Sequence, residues 1–320
     1  MSQVTITGGC GFIGLNLTEY LLSRTDWHIV ILDNLSSGSA ENLKQLEGYT
    51  PERVTFQQGD IRNQEDVADA LQGSTSVVNL AAQVGVIPSI ENPFEDADIN
   101  IIGLLNVLTE AAEQNKPRVV QASSAAPVGD QTPPLDEEKV PQPLSPYGAS
   151  KLAGEGYCSA FAASFALDTV ALRFSNVYGP HSYTKGSVIA KFIKHMLRNE
   201  PVTIYGDGDQ TRDFIHARDI SHGIYLALTM DLPNRFDLFQ IATGKETTVN
   251  DLYQMIKDEM ERQGYTVAEP VYMPAREGEI YRNYADISKA EHMLGYTPSV
   301  PLSEGIPETV EWFTQNNPYG

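Results

Sequence analysis

The sequence predicts an α/β fold: a doubly wound parallel sheet followed by a smaller α/β domain toward the C-terminus. Three observations predict it. Short β-branched runs alternate with longer helical patterns through the first half. A glycine-rich turn joins the first run to the first helical pattern. After Phe174 the alternation loosens into turns and isolated helices.

Strands are expected at Val4–Thr7, Ile29–Asp33, Val54–Gln58, Ser76–Ala81, Val119–Ser123 and Thr169–Phe174. Helices are expected near Phe12–Ser23, Glu65–Leu71, Phe94–Asn115 and Pro146–Phe165. Parallel neighbours need crossover connections, so strands that alternate with helices argue for a parallel sheet. Prolines at 127, 133, 134, 141, 143 and 146 make the intervening stretch a loop, placed after a strand where open α/β sheets bind ligands. Further helices are expected at Val249–Gln263, Ile287–Leu294 and Leu302–Gln315. The expected division is residues 1–174, with a return segment around 214–245, and a second domain from 175–213 and 246–320.

Composition narrows the partners. The 320 residues are 41% hydrophobic and 20% charged, ordinary for a globular chain with a large core. Lys and Arg total 22 against 42 Asp and Glu, a net charge of −20. So acidic a surface repels nucleic acid and anionic membranes, and a small anionic ligand needs locally placed cations or backbone N–H groups. Cys10 and Cys158 lie far apart and suggest no disulfide framework. No run approaches the roughly 20 apolar residues of a membrane span. The N-terminus reads as a strand instead of a signal peptide, so a cytoplasmic protein is expected.

Thr7-Gly8-Gly9-Cys10-Gly11-Phe12-Ile13-Gly14 follows the first strand and opens the first helix. Gly8, Gly11 and Gly14 allow a tight turn, close approach to a pyrophosphate and helix-on-strand packing. The helix N-terminus offers N–H groups to the phosphates. Asp33 ends the next strand, 19 residues beyond Gly14, where its carboxylate can accept from a ribose 2′-OH and would repel a 2′-phosphate. The pattern therefore predicts NAD in preference to NADP. Asp60, after the third strand, is a candidate for the adenine amino group or a plain solvated turn acid.

Ser145-Pro146-Tyr147-Gly148-Ala149-Ser150-Lys151 is the second chemical signal. Ser145 suits the N-cap and Pro146 the first helical position, which puts Tyr147 in the first turn. Lys151, four residues on, shares its face. A nearby ammonium and the positive helix end favour the phenolate, making Tyr147 a candidate general base. Ser123 and Ser124 close a strand, and Ser124 is the candidate hydrogen-bond partner of the reacting oxygen.

Together these residues resemble the extended short-chain dehydrogenase/reductase superfamily, most closely its UDP-sugar 4-epimerase branch. The resemblance runs over essentially the whole chain. Besides the motifs above it includes Leu32-Asp33-Asn34-Leu35-Ser36-Ser37-Gly38, Asn79-Leu80-Ala81-Ala82 and Arg173-Phe174-Ser175-Asn176-Val177-Tyr178-Gly179-Pro180. It continues in Gly206-Asp207-Gly208-Asp209-Gln210-Thr211-Arg212-Asp213-Phe214-Ile215-His216 and Pro274-Ala275-Arg276-Glu277-Gly278-Glu279. It implies a Rossmann-type cofactor domain and the catalytic group Ser124, Tyr147 and Lys151. It implies an NAD site lined by Gly8, Gly11, Phe12, Ile13, Gly14, Asp33, Asn34, Ser36, Asp60, Ile61, Leu80, Ala81, Ala82 and Asn100, with Tyr147 and Lys151. Asn176, Arg212 and Arg276 are implied to hold the sugar diphosphate, with Tyr205 beside the uracil.

The implied reaction passes through a transient 4-keto sugar, with Tyr147 taking and returning the 4-OH proton. Three departures stand out. Ala125 and Ala126 replace the acids that dehydratases carry after the strand-end hydroxyl residue, Val128 replaces a usual tyrosine, and Asn79 replaces a usual histidine. Asn283 matches a position where a bulkier tyrosine excludes 2-N-acetyl sugars, so UDP-GlcNAc/UDP-GalNAc join UDP-Glc/UDP-Gal as expected substrates. The stretch 180–186 lacks the arginine-rich pattern of uronate epimerases, yet Lys185 or His181 leaves UDP-glucuronate as an alternative. A nucleotide-sugar oxidoreductase and a non-catalytic NAD(H) sensor are the remaining alternatives. His216 and His292 are expected to make local hydrogen bonds, and no residue cluster has metal-ligand spacing. The resemblance also implies a homodimer through the Ala97–Gln114 and Tyr147–Phe165 regions.

Overall fold

The computed structural model describes residues 2–275 and 280–317. The chain runs β1 (Gln3–Thr7), α1 (Phe12–Arg24), β2 (His28–Asp33), β3 (Val54–Gln58), α2 (Gln64–Leu71) and β4 (Ser76–Asn79). Two short helices, α3 (Val86–Glu91) and α4 (Pro93–Ala97), lead through a wide π-turn at Asp98–Gly103 into α5 (Leu104–Glu113). Then come β5 (Arg118–Ser124), α6 (Pro146–Phe165), β6 (Thr169–Phe174), β7 (Asn176–Tyr178) and α7 (Val188–Leu197). They are followed by β8 (Thr203–Tyr205), β9 (Thr211–Arg212), β10 (Phe214–His216), α8 (Ala217–Thr229) and β11 (Phe236–Ile241). The chain ends with β12 (Thr247–Thr248), α9 (Val249–Arg262), β13 (Val271–Met273), β14 (Arg282–Asn283), α10 (Ser288–Leu294) and α11 (Leu302–Gln315).

Among the described residues, seven strands form one parallel sheet in the order β3-β2-β1-β4-β5-β6-β11. The order reverses between β1 and β4, which opens a crevice at the carboxyl ends of those strands. Apolar residues cover both faces, as a parallel sheet requires. Leu15, Leu17 and Leu21 of α1 pack with Ile220 and Ile224 of α8 against Val4, Ile6 and Ile29. On the other face Val67, Leu104, Leu108 and Phe161 meet Leu32, Val77 and Val119. A separate core joins α7, α9 and α11 through Ile193, Ile256 and Val310.

The structure differs from the expected elements in two places. The single helix expected over Phe94–Asn115 is broken into α4, the π-turn and α5. Gly103, at the end of that turn, lies so close to Ile61 that a Cβ there would stand 2.5 Å from Ile61 Cδ1. Wide turns of this kind often occur at functional positions, and this one carries Asn100. The second difference is that α7, α8 and β11 are elements for which no helix or strand was expected, although α8 and β11 fall in the expected return segment around 214–245. The α7 stripe Val188, Ile189, Phe192, Ile193, Met196 has helical spacing, but β11 is recognisable only by its partner β6.

A buried ion pair pins α6 to the sheet. Arg173 donates from Nε and Nη2 to the two oxygens of Glu155, each at 2.8 Å, and Ser123 Oγ donates to Glu155 Oε1 at 2.6 Å. Both partners are shielded, with side chains 1% and 6% exposed. Breaking such a pair leaves an uncompensated buried charge. Glu155→Gln is therefore expected to lower unfolding stability by about 3–5 kcal/mol, read as a lower urea midpoint.

Candidate active site

The glycine turn sits at the crevice. Gly8 has φ +68, and a Cβ on it would lie 2.7 Å from the Ala81 nitrogen, so only glycine lets the turn lie against the end of β4. A Cβ on Gly14 would lie 2.5 Å from Gly9 Cα, which brings α1 directly onto the turn. Gly11 is the N-cap of α1, with no side-chain cap and no acid in the first turn. The leading amides and the positive helix end therefore suit a phosphate. Leu80 donates its N–H to the Thr7 carbonyl, and Ala81 its N–H to Thr7 Oγ1, which fixes the neighbouring wall. Asn79 is 2% exposed and bridges Thr7 to Gln121, so its carboxamide ties β1, β4 and β5 together.

Asp33 is buried and ties the turn to the chain beyond β2. Its Oδ2 accepts from the Cys10 N–H at 2.9 Å and its Oδ1 from the Leu35 N–H at 2.8 Å. Each oxygen keeps a further lone pair, enough for a ribose hydroxyl. Asn34 donates to Asp60 Oδ2 at 2.9 Å and accepts from the Ser36 N–H. Asp60 also takes three donors from Arg62, whose guanidinium holds this carboxyl well below the usual carboxylate range. Four donors occupy about as many lone-pair sites as a carboxylate has. An adenine amino group reaching Asp60 would have to displace one of them. Ile61 is buried in the core beneath α5, and its carbonyl accepts from Asn106. Gly8, Asp33 and the bare α1 N-terminus together fit a dinucleotide.

The second constellation lies between β5 and α6. Ser145 Oγ accepts from the Gly148 N–H at 3.1 Å, and Pro146 occupies the first turn, as the N-cap pattern predicts. Ser124 hydrogen-bonds Tyr147. Lys151 Nζ lies 5.8 Å from the Tyr147 ring centroid and donates to the Ala122 carbonyl at 3.1 Å. The tandem serines divide their work: Ser123 is committed to Glu155, whereas Ser124 faces Tyr147. Burial pulls the Lys151 ammonium down to about 8, with Asp96 opposing. The protein alone does not favour the phenolate: burial raises the Tyr147 hydroxyl, the Ser124 hydrogen bond partly offsets this, and Asp96 adds to the rise.

Asn100, in the π-turn, is 4% exposed. Its side chain accepts from the Gln83 N–H and donates toward the Gln83 carbonyl, Asp96 Oδ1 and Ser150 Oγ. Sequence patterning missed Asp96, because one acid in an acidic helix looks like any other until its burial is known. Val128 is fully buried, so the residue replacing the usual tyrosine turns into the protein interior.

A cleft of ≈ 530 Å³ opens between β7, α7 and β8. Three expected ligand residues, Asn176, Tyr205 and Arg212, line it together with Lys185. Asn176 donates its N–H and its Nδ2 to the Asp213 carbonyl, and Arg212 Nη1 donates to the Thr211 carbonyl. The Asp213 carboxylate gathers Thr243, Gly244 and the Ala285 N–H beneath the same strand. Asn283 pairs in register with Arg212 at the cleft edge. Arg276 lies outside the described residues. Lys185 stands 5.0 Å from the centroid of Phe12, so it spans the short interval between cleft and glycine turn. His216 accepts from the Arg218 N–H and His292 bonds the Ser288 carbonyl, local contacts in both cases. Among the described residues no cluster of metal-ligating side chains occurs, and no helix is long and apolar enough to cross a membrane.

Comparison with known proteins gives the same assignment. The NAD dependent epimerase/dehydratase family model matches residues 4–242. A putative UDP-glucose 4-epimerase of Methanocaldococcus jannaschii is 38% identical over 98% of this chain and 99% of its own length. A UDP-N-acetylglucosamine 4-epimerase from Methanobrevibacter ruminantium, solved with UDP-N-acetylmuramic acid, superposes with a TM-score of 0.90 at 34% identity, covering 98% and 99% of the two chains. A UDP-glucuronic acid 4-epimerase from Bacillus cereus, solved with UDP-glucuronic acid and NAD, gives 0.89 at 29% identity over 98% and 99%. With the seven-stranded sheet, the glycine turn and the tyrosine–lysine pair already in place, the chain belongs to the NAD dependent epimerase/dehydratase family and is an NAD-dependent enzyme of the extended short-chain dehydrogenase/reductase superfamily.

Proposed function

We propose that the protein is a UDP-sugar 4-epimerase that accepts UDP-Glc/UDP-Gal, UDP-GlcNAc/UDP-GalNAc or both. The observation that carries this reading is the start of α6 against the end of β5, where Lys151 Nζ stands 5.8 Å from the Tyr147 ring centroid and Ser124 faces Tyr147. Bound NAD supplies a reversible two-electron oxidant for C4. Tyr147 takes the 4-OH proton, Ser124 hydrogen-bonds the same oxygen, and Lys151 adds positive charge that works against the burial opposing the phenolate. Tyr147 then returns the proton once the 4-keto sugar has turned over. Asn176, Arg212 and Arg276 hold the diphosphate through charge-assisted bonds, with Tyr205 at the base, on a substrate-binding unit of residues 175–213 and 246–320. Asp33, Asn34, Ser36 and Ile61 would hold the adenosine half of NAD.

Asn283, paired in register with Arg212, is smaller than a tyrosine, which supports a site open to a 2-N-acetyl group. A second reading, UDP-glucuronate as substrate, is favoured by Lys185, whose cation lines the cleft. A homodimer is part of the proposal: Ile87, Ile90 and Phe94 are 61%, 60% and 87% exposed, and Ile102 and Phe165 about half exposed, around the helices expected to pair.

Four outcomes test these points. Purified protein with no added cofactor, given each UDP-sugar separately, is expected to yield a C4 epimer by NMR, and no epimer from any sugar even with NAD added would end the 4-epimerase reading. Tyr147→Phe is expected to lower kcat by about 10²–10⁴ with the fold intact by circular dichroism. Arg212→Ala is expected to raise KM by roughly 10- to 150-fold, the worth of a charged hydrogen bond of about 1.5–3 kcal/mol, with a smaller effect on kcat. For the assembly, light scattering should give twice the chain mass, and Phe94→Glu should halve it.

A further inference from the structure

A buried carboxylate stands next to the tyrosine–lysine pair without belonging to it. Asp96 is 1% exposed on α4, and the only side chain donating to it among the described residues is that of Asn100, at 3.1 Å. The same Asn100 amide reaches Ser150 Oγ at 3.1 Å, and Ser150 Oγ donates to the Tyr147 carbonyl at 3.1 Å. A chain of contacts thus runs from Asp96 to the first turn of α6. An acid this deep is costly without compensation, and no ion pair to it occurs among the described residues. Of the other charges on the packed elements, Glu110 accepts from Gln64 and Asp237 pairs with Lys289. Glu91, Glu95 and Asp98 are exposed, and Glu155 is bound by Arg173 and Ser123. Tyr147 and Lys151 are the titratable groups of α6 that feel Asp96.

We propose that Asp96 is a positioning residue of the active site, a buried negative charge held by Asn100 that acts on the Tyr147–Lys151 pair. Its charge keeps Lys151 protonated in a seat where burial would otherwise strip the proton, at the cost of opposing the Tyr147 phenolate. It stabilises the protonated form of both groups, so removing it lowers both. Both limbs of the activity profile then move the same way.

The proposal rests on Tyr147 as the base, and two measurements keep the two claims separate. In the holoenzyme with a UDP-sugar that it epimerises, Asp96→Asn is expected to shift both limbs of the kcat/KM–pH profile to lower pH by about half to one unit. Asp96→Glu, which restores the charge, should move them back. Unmoved limbs, whether or not activity falls, would overturn the proposal, since a purely structural loss lowers the profile without displacing it. The second measurement needs no substrate. The ultraviolet phenolate titration of Tyr147, obtained by subtracting the Tyr147→Phe protein, should occur at lower pH with Asp96→Asn, and an unchanged titration overturns the proposal even if the epimerase reading fails. Should Asp96→Asn not fold, Asp96→Ser removes the same charge with a smaller side chain and is read identically.

Discussion

The close approach of the glycine turn to the end of β4 is the constraint on which the rest depends. Gly8 lets the backbone lie against Ala81, and Gly14 lets α1 start against Gly9. Without those two contacts α1 could not aim its amides into the crevice where the strand order reverses. The wall opposite is held by Thr7 and Asn79. Asp33 then ties the turn from the far side through the Cys10 N–H. Cofactor geometry is thus built from absent side chains and from hydrogen bonds to the Thr7, Asn79 and Asp33 side chains, which burial holds in place.

The tyrosine–lysine pair is positioned by a different means, burial of hydrogen-bonded polar groups, although Arg173 Nη1 has no partner among the described residues. Ser123, Glu155 and Arg173 fasten α6 to β5 and β6 inside the core. That leaves Ser124 at the strand end to meet Tyr147. Lys151 is placed by the Ala122 carbonyl on the same strand. On the other flank Asp96, Asn100 and Ser150 brace the first turn of α6. These buried bonds from β5, β6 and the π-turn converge on α6 and fix one orientation of the helix.

The charge distribution reconciles an acidic protein with an anionic ligand. A net charge of −20 works against anions at long range. Within the cleft, however, Arg212, Lys185 and the polar Asn176 lie together. Screening weakens the surface field beyond about 8–10 Å at ordinary salt, whereas short contacts in a cleft keep their strength. A small anion is therefore disfavoured less than a polyanion by that difference in range.

Local chemistry was legible from sequence alone wherever a residue's role follows from its neighbours in the chain. The six strands of the first half fall within two residues of their expected bounds, because their β-branched runs are bracketed by turn signals. The glycine turn, Asp33 and the Ser145–Lys151 helix start are equally local, each set by backbone conformation, capping or helical spacing. Tertiary structure decided what depends on distant partners. It placed β11 beside β6, broke the expected long helix at the π-turn and turned Val128 inward. It filled the lone pairs of Asp60 with Arg62 and gave Ser123 and Ser124 different partners. It also buried Asp96, one acid among 42 acidic residues, beside the tyrosine–lysine pair. Burial is a property of the packed whole, and so the desolvation that governs Tyr147 and Lys151 could come only from the fold.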